Sequence, residues 1–337
     1  MSTINWLPPQ ALTAQGVERR VGVEIEMAGL EAARIADCIQ TQLGGVIERR
    51  TRYDFRVRDT QLGTFVVELD AKTIKTLGEH LERPDAAGIE RSLQSAASDL
   101  LTVAAETMVP WELASPPVPM SQLPLLQELF TTLRNAGAKG TRSSMVYAFG
   151  LHLNPELPSL DVDTVLRYLR AFLCLYEWIT AHDETDMTRR MSSYIDHFPK
   201  PYLLKVLDPG YRPDMQQFMT DYLVANPTRN RTLDLLPLFA FLNEPLVRAS
   251  VGNMKVRSRP TLHYRLPNCD IDNPHWNLHV PWQDWLLVER LAAKPEIITT
   301  MSREYRTHLE RRPSLESLSL GLDGGWKKIV ERWWGGF

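Results

Sequence analysis

Cysteine is scarce. The 337 residues hold only Cys38, Cys174 and Cys269, an odd number set far apart. That excludes a disulfide framework, and none of the three stands at a metal-ligand or redox spacing, so reduced thiols packed in the core of a cytoplasmic protein are expected. No stretch approaches ~18 consecutive apolar residues, which argues against a membrane span. The opening "MSTINWLPPQALTAQGVERR" has no apolar core between basic flanks, so no signal peptide is expected. An excess of charge of one sign is also missing. The net charge of −3 gives no global electrostatic case for nucleic acid or an anionic membrane. There is no internal repeat and no low-complexity linker. What remains is a composition ordinary for a globular protein, on a chain long enough to bury a large core.

The patterning that is present alternates between strand and helix. "RVGVEIEM" reads as a strand over 21–28, with Val21, Val23, Ile25 and Met27 on one face and Gly22, Glu24, Glu26 and Ala28 on the other. Residues 32–44 have helical spacing and stop at Gly44-Gly45. A hairpin follows, in which Tyr53, Phe55 and Val57 alternate with Arg52, Asp54, Arg56 and Arg58, and Phe65, Val67 and Leu69 alternate with Val66, Glu68 and Asp70. Helices are expected at about 86–108, 121–136, 161–181 and 212–225, with strands in "VPWELASPP", "VYAFGLHLNPE" and "RPTLHYRLPN" (259–268). Residues 281–310 and 325–335 read as helical. Strands scattered among helices, each apolar on one side only, predict an α+β fold whose mainly antiparallel sheet has helices on one face. A doubly wound parallel sheet would instead show strands apolar on both faces. The chain is expected to form a single domain, 1–337, with a motif-bearing core at 20–270 and a mostly helical region at 271–337.

The other face of that sheet carries Glu24 and Glu26, Glu68 and Asp70, Glu112, His152 and Asn154, then His263 and Arg265. Solvated strand faces usually carry Lys, Thr, Ser and Gln. Five carboxylates on one surface repel one another unless cations compensate. Carboxylate oxygens with an occasional imidazole suit Mg²⁺ or Mn²⁺, and an acidic trough of this kind typically holds a nucleotide through its phosphates.

"GVEIEM", "WELASPP" and "FGLHLNPE", in this order, resemble the carboxylate–amine ligase superfamily that includes glutamine synthetase and glutamate–cysteine ligase, and within it the amidoligase family. The resemblance rests on Gly22, Glu24 and Glu26; on the strand from Phe65 to Asp70; on Glu112, Ser115 and Pro116; and on Gly150, His152 and Asn154. Arg265 in "HYR" matches a late Glu-x-Arg strand, with His263 standing where an acid is usual. The resemblance implies a glutamine synthetase-like catalytic fold. It makes Glu24, Glu26, Glu112 and His152 ligands of metals that bridge ATP phosphates. Asp70 and Asn154 would line the acceptor or metal shell, and Arg265 would face the transferred phosphoryl group or a substrate carboxylate. "TRRMSSY" and "NPTRNRTLDLLPLF" resemble the family's later arginine segments, so Arg190 and Arg231 are candidates for phosphate binding or for surface salt bridges.

The implied activity is an ATP- and Mg²⁺-dependent joining of a carboxylate to an amine through an acyl phosphate, with Mn²⁺ as the alternative ion and Asp70 or Glu68 as general base for the amine. The substrates would be small molecules or peptides, and a homo-oligomer is compatible. Two rivals stand beside it: phosphoryl transfer to nitrogen, as in guanidino kinases, and a degenerate nucleotide- or peptide-binding protein, to which His263 lends support. His263 itself is open to three roles: substrate contact, metal ligand, or hydrogen-bond partner of a metal ligand. His275 and His279 sit four apart, but Pro274 and Pro281 favour a turn there. Trp326, Trp333 and Trp334 are too many aromatics for a free tail and are expected to pack against the domain or an oligomer partner.

Overall fold

The chain is described by a computed structural model over residues 5–69, 110–141, 149–182, 197–252, 256–311 and 325–333. The expected helix at 86–108, Asp70, Arg190 and Trp334 lie outside the described residues.

Alternation shapes the centre of the molecule. Strand β1 (Arg20–Met27) buries Val21, Val23, Ile25 and Met27, while Glu24 and Glu26 stay half-buried on the opposite side. The same parity holds in β3 (Asp54–Thr60), β4 (Gly63–Leu69) and β5 (Trp111–Ala114), where Phe55, Val57, Phe65, Val67, Trp111 and Leu113 are buried. With β2 (Val46–Arg49), β6 (Val118–Pro119), β7 (Leu151–Pro155), β8 (Leu233–Asp234) and β9 (His263–Tyr264), these form one sheet in the order β2-β3-β4-β5-β1-β7-β9-β8, with β6 paired to the start of β1. Every ladder among the described residues is antiparallel. The fold is α+β.

Helix α1 (Ala32–Leu43) packs on β2, β3 and β4 through Ile35, Ile39 and Leu43. Gly45 follows at φ 94°, and a Cβ there would lie 2.3 Å from the carbonyl oxygen of Arg58, so only glycine lets the chain turn into β2. Helix α2 (Leu123–Ala136) ends at the left-handed Gly137, where a C-cap was expected. Helix α3 (Val162–His182) is buried over most of its length.

Two departures concern proline. The helical stretch expected at 281–310 is two helices, α7 (His279–Ala292) and α8 (Pro295–Glu310), broken at Lys294 because the residue before a proline leaves the α region. The strand expected over 259–268 contains Pro260 and Pro267, and it contracts to β9 with single bridges at Thr261 and Asn268. Three helices were not foreseen or not placed in full: α4 (Lys200–Val206), α5 (Met215–Ala225, foreseen from 212) and α6 (Leu236–Val251). Pro237 sits harmlessly in the first turn of α6, and Pro245 accompanies a kink at Asn243.

Helices α7, α8 and α9 (Gly325–Trp333) all pack on α3. Trp326 is fully buried, stacks on Tyr305 with ring centroids 4.6 Å apart, and donates its indole N–H to the Cys174 carbonyl. The C-terminal tryptophan therefore packs on its own chain. All three cysteines are free and buried, as their spacing implied.

A polar clamp ties the segment before β1 to α7. Arg19 and Glu289, both fully buried, form a bidentate pair at 2.6 and 2.9 Å. Glu289 also accepts from the Tyr168 hydroxyl at 2.5 Å and the Trp285 indole at 2.9 Å, while Arg19 donates to the carbonyls of Gln10 and Glu156.

Candidate active site

Antiparallel register sorts the polar side chains into rows. Asp54 faces Glu68, Glu68 faces Glu112, and Glu112 faces Glu26, so four carboxylates run in line across β3, β4, β5 and β1. The Glu26 carboxylate reaches over β7 to accept the N–H of Gly150 at 2.8 Å. The next row runs through Arg56, Val66, Ala114, Glu24 and His152. A third pairs Gly22 with Asn154 and His263 with Asp234. Register thus brings Glu26, Glu68 and Glu112 into one row and Glu24 and His152 into the next. Strand β7 is buried throughout, including His152 and Asn154, so the face deepens where it meets β9.

At that deep end Asn154 organises its neighbours. Its amide nitrogen donates to Glu24 Oε1 at 3.0 Å, and its amide oxygen stands 2.6 Å from both His263 Nδ1 and Arg259 Nη2. His152 Nδ1 lies 3.3 Å from Glu24 Oε2, and Arg259 Nη2 lies 3.4 Å from Glu24 Oε1. The two imidazoles meet edge to face with centroids 5.1 Å apart. One ligand-capable atom from each of Glu24, His152 and His263 falls within 4.8 Å of the others, the one such group among the described residues.

Electrostatics divides the cluster into an ionised acid and two neutral rings. Burial pushes the Glu24 carboxyl up, but the His152 hydrogen bond and the Arg259 guanidinium hold it well below the usual carboxylate range. Burial pulls His152 down against the Glu24 hydrogen bond, with Arg265 adding to the effect. Burial also holds His263 well below its usual value, helped by Arg265, His152 and Arg259 and opposed by Glu24. Neutral imidazoles keep a lone pair for a ligand.

Beyond this cluster lies a cationic group. Arg265 is buried and donates to the carbonyl of Arg229 at 3.0 Å. Arg229, Arg259 and Arg265 all act on the buried Asp234, whose carboxyl burial raises to about 6 against their attraction. Burial lowers Arg229 itself, and among the described residues its Nε has no hydrogen-bond partner, nor has that of Arg259. Three guanidinium groups thus face two carboxylates, Glu24 and Asp234, at the deep end of the face.

The remaining candidates fall elsewhere. Glu68 accepts a 2.8 Å hydrogen bond from Arg257, whose side chain is largely exposed. Arg231 braces the end of α5, donating to Asn226 Oδ1 at 2.8 Å and to the His197 carbonyl at 2.5 Å. Arg56 sits on the polar face beside Asp54, while Arg58 pairs with Glu48 at the sheet edge. His275 and His279 do not converge: His275 lies in a turn, and His279 opens α7 and packs on Trp6. Sequence reading missed Arg257, Arg259, Arg229 and Asp234. The first two share the parity of His263 and Arg265 in "VRSRPTLHYR", a parity not followed because the expected strand began at Arg259 and only His263 and Arg265 were read from it.

An antiparallel α+β protein with a face of carboxylates, imidazoles and arginines is the class these features define. A family model described as "Putative amidoligase enzyme" matches residues 17–287, from just before β1 into α7. The chain belongs to that amidoligase family, which places it among ligase-type, amide-bond-forming enzymes. Neither the curated proteins nor the solved structures yield a match to it.

Proposed function

We propose that this protein is an ATP-dependent ligase that joins a carboxylate to an amine through an acyl phosphate. The observation that carries the reading is one sheet face on which the Glu24–His152–His263 cluster lies between a carboxylate row and the arginine group. A carboxylate is a poor electrophile because its oxygen is a poor leaving group. Transfer of a phosphoryl group from ATP converts that oxygen into phosphate, which an amine can displace. The chemistry brings two anions together, the acyl carboxylate and a polyphosphate, and their repulsion needs fixed positive charge. A divalent cation would be held by Glu24, His152 and His263, and it would supply charge neutralisation at the phosphates. The donor set fits: one ionised carboxylate and two neutral imidazoles.

The chain's own side chains divide the remaining work. Arg265, buried, and Arg229, half-buried, offset charge on the phosphoryl group or the acyl carboxylate. Glu26 and Glu112, opposite each other across β1 and β5, extend the cation-binding surface toward the carboxylate row. Glu68 is the described candidate to take the proton from the incoming amine, and Arg257, largely exposed, swings away to release it. Asp70, the other candidate base, lies outside the described residues.

The test traps the intermediate. With ATP, a divalent cation and a panel of carboxylic acids, hydroxylamine should intercept the acyl phosphate as a hydroxamate. Phosphorylated amine without hydroxamate would identify a guanidino-type phosphotransferase, and no metal-dependent ATP turnover would identify a binding protein. Glu26→Gln preserves the acceptor for the Gly150 N–H, so its circular dichroism should match the parent while hydroxamate formation falls by orders of magnitude. Near-parental rates would mark Glu26 as a solvated bystander.

A further inference from the structure

We infer that residues 256–259, which lead from α6 into β9, form an autoinhibitory strap across the polar face: Arg259 is its fixed end, and Arg257 is a movable end that holds Glu68 until an amine displaces it. This regulation acts on the same face and rests on the ligase reading above for the identity of the displacing group.

The strap is placed by what its two arginines reach. Arg257 Nη2 donates to Glu68 Oε1 on β4 at 2.8 Å. Arg259 Nη2 donates to Asn154 Oδ1 on β7 at 2.6 Å and stands 3.4 Å from Glu24 Oε1 on β1. Strands β4, β5, β1 and β7 are consecutive in the sheet, so the outer two lie roughly 14 Å apart at ~4.8 Å per step. Two side chains from one short segment therefore span four strands. Strand β9 pairs with β7 and β8, so Arg257 reaches three strands beyond the ladder that its own segment joins.

The two ends are held differently. Arg259 is tied by its backbone, whose N–H donates to the Pro237 carbonyl at 3.1 Å and whose carbonyl accepts from Thr261 at 2.9 Å. The Arg257 side chain is about two-thirds exposed, and Glu68 is its anchor among the described residues. The Glu68 hydrogen bond raises the Arg257 guanidinium above its usual value against burial, and the charges of Glu68, Glu112 and Glu24 add to the effect. The guanidinium thus lies over the carboxylate row, where an amine would arrive in its ammonium form.

The contact is inhibitory because of what a guanidinium is. It donates to Glu68 and does not give up its proton, so the carboxylate it holds cannot serve as a base. An exposed pair of this kind is worth little and is screened by salt, which suits a contact that has to yield to substrate. Displacement by an ammonium group makes the base available only when an amine is there to use it.

The strap can be watched directly. All three native cysteines are buried, whereas Ser258, between the two arginines, is exposed. A spin label on Ser258→Cys in the full-length chain, at low ionic strength and without ATP, should give a restrained electron paramagnetic resonance spectrum. Arg257→Gln and Glu68→Gln should each mobilise the label, the two together no more than either alone, and Arg257→Lys should keep much of the restraint. Ethylammonium chloride should mobilise the label at several-fold lower concentration than tetramethylammonium chloride, which has the charge but no N–H to donate. A label mobile in the parent from the outset, a label unmoved by both Arg257→Gln and Glu68→Gln, or equal potency of the two salts would each overturn the proposal. Should the label respond as expected while no hydroxamate forms in the trapping assay, the ligase reading fails and the strap stands. Hydroxamate formation with an unresponsive label would mean the reverse.

Discussion

A single histidine outside the candidate site shows how far burial alone moves a side chain. The His197 ring lies flat on Tyr176, with centroids 3.9 Å apart and an interplanar angle of 8°, and neither of its nitrogens has a hydrogen-bond partner among the described residues. Burial, reinforced by the charge of Arg231, lowers it to about 3. The linkage follows from proton counts. Between that value and the unfolded value near ~6.5, the unfolded chain holds a proton that the native chain lacks, so stability is full above the unfolded value and is lost as pH falls. His197→Phe retains the stacking and removes both the orphaned N–H and the titration. The variant's advantage over the parent in urea denaturation should be clearly larger at pH 5 than at pH 8. A constant difference across that range would show that the imidazole does not titrate on unfolding. Residue-level reading also marks where foresight ended. Glu24, Glu26, Glu112 and His152 were visible because alternation in an uninterrupted strand fixes which side chains share a face. His263 was visible by parity, but its partnership with Glu24 and His152 depends on register between strands far apart in sequence, which no local pattern contains.

Among the elements, those with one apolar face were legible and those with proline inside were not. Helix α1, strand β1 and the β3–β4 hairpin carry their own period, and their bounds fall close to expectation. Helix α6 hides behind Pro237 and Pro245, while β9, foreseen as part of a strand over 259–268, is shortened between Pro260 and Pro267. The Arg19–Glu289 clamp was equally invisible, since it joins the segment before β1 to α7 by a contact across most of the chain. A buried pair adds little over a well-packed apolar replacement, whereas removing one partner strands the other. Arg19→Met should therefore cost about 3–5 kcal/mol in urea unfolding, because Glu289 is left ionised among Tyr168 and Trp285 without its cation. Arg19→Met combined with Glu289→Leu should recover most of that loss. A double variant as unstable as the single would locate the cost in lost packing.

For the whole molecule, the sheet concentrates like charges along one row and arginines at one end, so ligands that neutralise both should stabilise the fold. ATP with Mn²⁺ or Mg²⁺ should raise the melting temperature far more than ATP with EDTA, by mass action on the native state, reaching ~2.7 kcal/mol when ligand is a hundredfold above its Kd. Equal shifts with and without the ion would remove the cation from the binding reaction. The strand order has a further consequence in time. Strand β1 ends in the interior of the sheet, yet its neighbours β5 and β7 are not synthesised until residues 111–114 and 151–155. As the chain emerges from the ribosome, both backbone edges of a strongly apolar strand stay open while a long intervening stretch is translated. The nascent protein must be kept from pairing with other chains over that interval, and its demand for chaperones should be greatest between synthesis of β1 and of β7.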